Sequence, residues 1–172
     1  MIRNSVWAMR GKVVHGHGRG GSQLGFPTAN IGLDPSTIDR LKAMENGVFL
    51  GWAQVEGKDP VYPMVMSVGY NPHFKDQSLT VEVHFIHKFE TDFYDSTVRL
   101  VSCDQLRMMS AFTTLEALIE MIKNDIREAQ HRLKNEFSGW NHAAFFSQPF
   151  GGDAPMPLLQ LPLDTPQQVA KF

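Results

Sequence analysis

The sequence predicts a mainly β domain of barrel or sandwich type, followed by one long α-helix and an irregular proline-rich tail. Three observations carry that reading. From Val6 to about Cys103 the chain is a series of short apolar runs broken by turn residues, the pattern of an all-β fold. From Thr113 onward apolar residues recur at three- and four-residue steps, the period of a helix. After about Ser138, Pro149, Gly151, Gly152, Pro155, Pro157, Pro162 and Pro166 crowd a short span and interrupt any regular element.

The elements follow in order. Ala8 to Val14 reads as a first strand, and Pro35 to Asn46 as a short helical excursion starting near Ser36 and ending near Gly47. Gly47–Val55 and Val61–Val68, joined by the turn Glu56–Pro60, form a hairpin, with Pro63 suited to an edge or an end because it lacks an N–H. Ser78 to Phe89 is the strongest strand: Leu79, Val81, Val83 and Phe85 alternate with Thr80, Glu82 and His84. Val98 to Cys103 is another. Thr113-Thr-Leu-Glu116 has the spacing of a capping box, and Leu115, Leu118, Ile119, Ile122, Ile126, Ala129 and Leu133 make the apolar stripe of the helix it opens. The division expected is residues 1–137 as a barrel plus helix and 138–172 as an extension that is no independent domain. Phe145, Phe146, Phe150, Leu158, Leu159 and Leu161 are too apolar for a solvated linker, so the extension should lie against the domain or a partner.

A chain of 172 residues is long enough for one sizeable core. Its 42% hydrophobic and 20% charged content is that of a soluble globular protein. A net charge of −2 lacks the Lys and Arg surplus that phosphate-backbone binding requires, so nucleic acid is not an expected partner. The single cysteine, Cys103, rules out an internal disulfide and a multi-cysteine metal site, and reads as a small buried group in a reducing compartment. No apolar run opens the chain or approaches bilayer length. The expectation is a cytoplasmic monomer without a membrane partner.

The motif of greatest chemical content runs from Gly11 to Asn30, with glycines at 16, 18, 20, 21 and 25 before Phe26-Pro27-Thr28-Ala29-Asn30. Glycines let consecutive N–H groups turn inward around an anion. Neither a Walker loop nor a dinucleotide-binding loop fits, because Gly-Lys-Ser/Thr is missing and Pro27 opposes a helix start. If Pro27 to Asn30 is extended, Thr28 and Asn30 share a face at roughly 7 Å and offer two hard oxygens to a cation that draws its other ligands from phosphate and water. A glycine-rich surface turn, with Thr28 and Asn30 bonding local backbone, accounts for the same residues. Glu82 stands on the polar face of an apolar strand beside His84, either as an outward carboxylate or as a general base for a substrate hydroxyl. His84 and His87 fall on opposite strand faces, so the seven histidines suggest no metal site and read as surface groups.

Several of these motifs occur in the order found in one enzyme family. Gly11-Lys-Val-Val-His-Gly-His-Gly-Arg-Gly20, Leu24-Gly-Phe-Pro-Thr-Ala-Asn30, Ser67-Val-Gly-Tyr-Asn-Pro72, Val81-Glu-Val-His-Phe-Ile-His87, Asp92-Phe-Tyr94 and the helix through Asp125 resemble the riboflavin kinases of the monofunctional eukaryotic type. The resemblance covers about Ala8 to Leu133. It implies a six-stranded antiparallel Greek-key barrel with a C-terminal helix, and conversion of riboflavin and ATP to FMN and ADP. Carried over residue by residue, it implies Mg²⁺ held with Thr28 and Asn30, other divalents such as Zn²⁺ or Mn²⁺ being left open, and Glu82 as the base for the ribityl 5′-hydroxyl. It places Gly16, Gly18, Arg19, Ser22, Gly25, Pro27, Thr28, Phe85, His87 and Tyr94 around ATP, and Arg107, Met109, Ser110 and Phe112 toward the flavin.

Two departures qualify the likeness. The family often has Asp-Phe-Tyr-Gly where Asp95 ends the segment here, and Leu-Arg-Pro-Glu where this chain reads Leu106-Arg107-Met108-Met109. Met108, Met109 and Phe112 suit a wall for a planar ring and equally a core cluster at the helix entry, while Arg107 suits a surface charge as well. The departures also motivate a flavin- or nucleotide-carrying barrel that has lost its chemistry. Thr28, Asn30 and Glu82 together argue against that, since a carrier needs no base. An oligonucleotide-binding barrel would want a basic, aromatic face that the acidic balance does not offer.

Overall fold

The computed structural model describes residues 6–16, 24–44, 46–70, 78–138, 146–147 and 159–161. Its elements are β1 (Val6–Val14), β2 (Ala29–Ile31), α1 (Pro35–Lys42), β3 (Gly47–Val55), β4 (Tyr62–Tyr70), β5 (Leu79–Phe85), β6 (Thr97–Arg107), α2 (Leu115–Asn135) and β7 (Leu159–Leu161). Strands pair antiparallel in the order β2-β5-β4-β3-β6-β1, and β1 pairs back onto β2 to close a six-stranded Greek-key barrel. Closure removes the sheet edges that an open β-sheet must otherwise protect.

Strand alternation decides what faces inward. In β5 the pattern is strict, with Leu79, Val81, Val83 and Phe85 buried and Thr80, Glu82 and His84 turned outward. Trp7, Met9, Ile31, Phe49, Met66 and Leu100 complete the barrel interior, where Trp7 meets Phe49 edge to face at 5.7 Å. A second cluster lies outside the barrel, where Ala129 and Leu133 of α2 pack over Ala8, Leu50, Val101 and Cys103. Only the C-terminal half of the helix is seated this way. The other half of its stripe, Leu115, Leu118 and Ile122, borders a cleft.

The extension contributes to the same side. Phe146 is buried in the second cluster, and β7 pairs with Val6–Ala8, on the stretch of β1 preceding the Val13–Val14 contact with β2. Among the described residues no helix is long and apolar enough to cross a membrane.

Some boundaries differ from the expected ones. The cap of α2 is Thr114, whose Oγ1 accepts from Ala117 N at 3.1 Å, so the capping box expected at Thr113 is out of register by one and Glu116 serves only to complement the helix N-terminus. The short helix starts one residue earlier, with Asp34 as cap accepting from Thr37 N at 2.7 Å and Pro35 in the first turn, and it stops at Lys42. β5 ends at Phe85: one further bond, Ile86 N to Pro63 O, follows before His87 turns to stack on Tyr62. β6 runs past Cys103 to Arg107, which pairs with Val48. The first strand keeps Gly11 to Val14, so the glycine loop begins later, at His15.

Candidate active site

The site begins with register. Because Ala29 and Ile31 of β2 are buried in the barrel, Asn30 between them faces outward, and the ladder sets it directly opposite Glu82 of β5. On the other side Glu82 pairs with Ser67 of β4. Directly opposed residues have Cβ atoms about 4.5–5.5 Å apart, so a carboxamide, a carboxylate and a hydroxyl form one row on the outer wall. The backbone of Gly16 lies over this row: a methyl group there would overlap Asn30 Nδ2 and stand 2.7 Å from its Cγ. A side chain at position 16 would fit only if the Asn30 carboxamide turned aside.

Two clefts meet at this wall. One, of about 590 Å³, is bordered by Gly25, Pro27, Thr28, Phe85, His87 and Tyr94, with Phe89 and Phe93 behind. Its walls are aromatic: His87 stacks on Tyr62 at 4.1 Å, Phe85 meets Phe93 edge to face at 5.6 Å, and His15 stacks on Tyr94 at 3.8 Å. The other, of about 630 Å³, opens between the barrel wall and α2, and is bordered by Glu82, Ser67, Arg107, Met109, Ser110 and Phe112. Thr28 and His84 border both.

The residues singled out from sequence thus divide between adjoining spaces. Glu82, Arg107, Met109, Ser110 and Phe112 share one cleft, and Gly25, Pro27, Phe85, His87 and Tyr94 the other, with Thr28 at the seam. Asn30 borders neither and lies under Gly16 beside Glu82. Gly18, Arg19 and Ser22 lie outside the described residues.

Two readings change. Arg107 is no plain surface charge: its Nε and Nη2 donate to Asp125 Oδ1 and Oδ2, each at 2.9 Å, its Nη1 donates to Met108 O at 3.2 Å, and its guanidinium stands 5.9 Å from the Phe112 ring. Asp125, on α2, is buried, and a fork-to-fork pair of this kind is both strong and directional. Asp125 is a residue that the motifs do not mark as part of the site, although its position three residues after Ile122 and four before Ala129 puts it on the packed face of the helix, where a carboxylate needs a partner. His84 likewise is more than a surface group. Its Nδ1 lies 2.8 Å from Pro27 O, which ties β5 to the segment carrying Thr28.

Among the described residues no three His, Cys, Asp or Glu gather as a metal cluster. Thr28 and Asn30 supply hard neutral oxygens, the donor type that suits a cation whose remaining ligands are phosphate and water. Burial pushes the Cys103 thiol far above its ordinary range, which leaves it an inert member of the second cluster.

The flavokinase family model, described as riboflavin kinase, matches residues 4–133. The human riboflavin kinase is 40% identical over 134 residues, covering 77% of this chain and 84% of its own. That of Pyricularia oryzae is 34% identical over 178, covering 93% and 89%. The crystal structure of riboflavin kinase from Trypanosoma brucei superposes with a TM-score of 0.70 at 35% identity, over 90% of this chain and 98% of that one. A family match over most of the length, joined to the same closed barrel and helix, makes this chain a member of the riboflavin kinase family.

Proposed function

We propose that this chain transfers the γ-phosphoryl group of ATP directly to the 5′-hydroxyl of riboflavin, yielding FMN and ADP, with Glu82 as the base. The observation that carries the reading is the seam: an aromatic cleft and a helix-walled cleft meet at Thr28, beside the Asn30–Glu82 pair. Phosphoryl transfer is mainly a matter of position and charge, so two substrates held in adjoining clefts with a base between them meet its chief requirement.

ATP occupies the cleft bordered by Phe85, His87 and Tyr94, its phosphates running toward Thr28 and Gly16, with Gly18, Arg19 and Ser22 assigned to the same phosphates by the family resemblance. The isoalloxazine lies between the barrel wall and the Arg107–Phe112 segment, where apolar area supplies most of the binding. Glu82 takes the hydroxyl proton as the ribityl oxygen bonds to the γ-phosphorus and the bond to the β,γ-bridging oxygen breaks. Thr28 and Asn30 hold Mg²⁺, which offsets phosphate charge when bound. Ser67 and Asn30 flank Glu82 in the ladder.

The test is FMN formation from riboflavin and Mg-ATP by the intact chain and its Glu82→Gln variant. Glutamine keeps the shape and cannot accept the proton, so turnover should fall by about 10²- to 10⁴-fold while ATP binding holds. Equal turnover would remove Glu82 as base. Riboflavin binding without any FMN from the wild-type chain would overturn the kinase reading in favour of a carrier.

A further inference from the structure

The aromatic contact between His15 and Tyr94 has no part in the chemistry above, yet it joins the end of β1 to the mouth of the first cleft. Tyr94 is 47% exposed and borders that cleft. Its turn is fixed to β1 by backbone: Val13 N donates to Ser96 O at 2.8 Å and Asp95 N to Val13 O at 3.0 Å. These bonds hold the turn and leave the phenol ring free to rotate about its side-chain torsions. What holds the ring is His15, stacked on it with centroids 3.8 Å apart and planes 20° from parallel. His15 itself is exposed and borders neither cleft. The next residue, Gly16, lies against Asn30. One dipeptide therefore braces an aromatic wall at one end and covers the carboxamide at the other.

We propose that His15 is a positioning residue for the nucleotide, acting through Tyr94. By stacking on one face of the phenol ring it fixes that ring as a wall against which a planar base packs. The inference deepens the kinase reading, since the ligand it takes is a purine nucleotide in the first cleft. It assigns His15 no proton transfer and no direct contact with substrate.

Calorimetric titration with ADP separates this role from general stabilisation. A stacked aromatic pair is worth about 0.5–1.5 kcal/mol, so His15→Ala should weaken ADP binding and raise KM for ATP by about two- to tenfold. KM for riboflavin and saturated turnover should stay within about twofold, since the flavin cleft is walled by other residues. His15→Phe, which keeps a flat ring, should restore ADP affinity. The double variant His15→Ala, Tyr94→Ala should bind ADP no more weakly than Tyr94→Ala alone, because His15 acts only through that ring. Unchanged ADP affinity in His15→Ala, additive losses in the double variant, or equal losses for ADP and riboflavin would each overturn the proposal. A chain that makes no FMN yet binds ADP in this His15-dependent way would refute the kinase reading and leave this one standing.

Discussion

Across the second cleft two walls face each other that are held by unlike forces. Glu82 and Ser67 belong to β5 and β4, and their spacing is set by ladder hydrogen bonds within the closed barrel. The opposite wall, residues 108–114, has no helix or strand of its own. It is suspended from Arg107, whose guanidinium reaches Asp125, the Met108 carbonyl and, at 3.5 Å, the Ser110 hydroxyl, while Met109 rests on Gly69, where an added Cβ would stand 3.2 Å from its Cγ. The proposed proton acceptor thus sits on a strand that the ladder holds on both sides. The proposed flavin wall is a segment that the Arg107–Asp125 ion pair organises, and such segments open at lower free energy than core strands.

The largest effect belongs to the rigid wall, where the Glu82→Gln loss of turnover should come without loss of fold. On the suspended wall, Asp125→Asn should do the reverse. The Asp125 side chain is 6% exposed and that of Arg107 21%, so losing the carboxylate strands a largely buried guanidinium, at a cost of about 2–4 kcal/mol. Thermal melting should show a lowered Tm, and kinetics a rise of about tenfold in KM for riboflavin with KM for ATP within about twofold. Parallel rises in both KM values would mean that the two walls are not separable.

Gly16→Ala probes the seam between clefts. The new methyl group overlaps the Asn30 carboxamide, a short side chain able to rotate aside, so stability should change little. The displaced oxygen is the one assigned to the cation beside ATP. KM for Mg-ATP should therefore rise by about tenfold and turnover fall, with KM for riboflavin and Tm nearly unchanged. A fall in Tm without a change in KM would place Gly16 among structural glycines.

How far these features are legible in sequence depends on their range. The alternation along β5 is local, so Glu82 on the outer face follows from period two alone. Its neighbour across the ladder does not, because β2 has three residues, too few to show a period, and the partner strand lies some fifty positions on. Asp125 is hidden for another reason: an apolar stripe can be counted without asking which polar residue shares its face. Spacing to Glu116 favours Thr113 as the cap, whereas the extended backbone at Thr114, φ −132 and ψ 153, and its bond from Ala117 N select the second threonine. The nucleotide and flavin sets came from family resemblance. Spacing alone offered no way to sort Phe85 and His87 from Met109 and Phe112, whereas the two clefts sort them.

The smallest effect concerns the turn under Tyr94. Asp95 is, among the described residues, the non-glycine with positive φ, at 64°, so it holds a left-handed turn that glycine would adopt without strain. Aspartate tolerates that region better than most side chains, so relief of strain in Asp95→Gly is modest and the looser unfolded chain offsets part of it. The net should be about 0.5 kcal/mol of added stability, read as a higher midpoint in denaturant at an unchanged slope. Because the bond from Asp95 N to Val13 O survives the change, the His15–Tyr94 stack should survive with it, and ADP affinity should not move. A gain in stability accompanied by weaker ADP binding would show that the nucleotide wall depends on the stiffness of this turn as well as on the ring behind it, which would shift part of the role assigned to His15 onto Asp95.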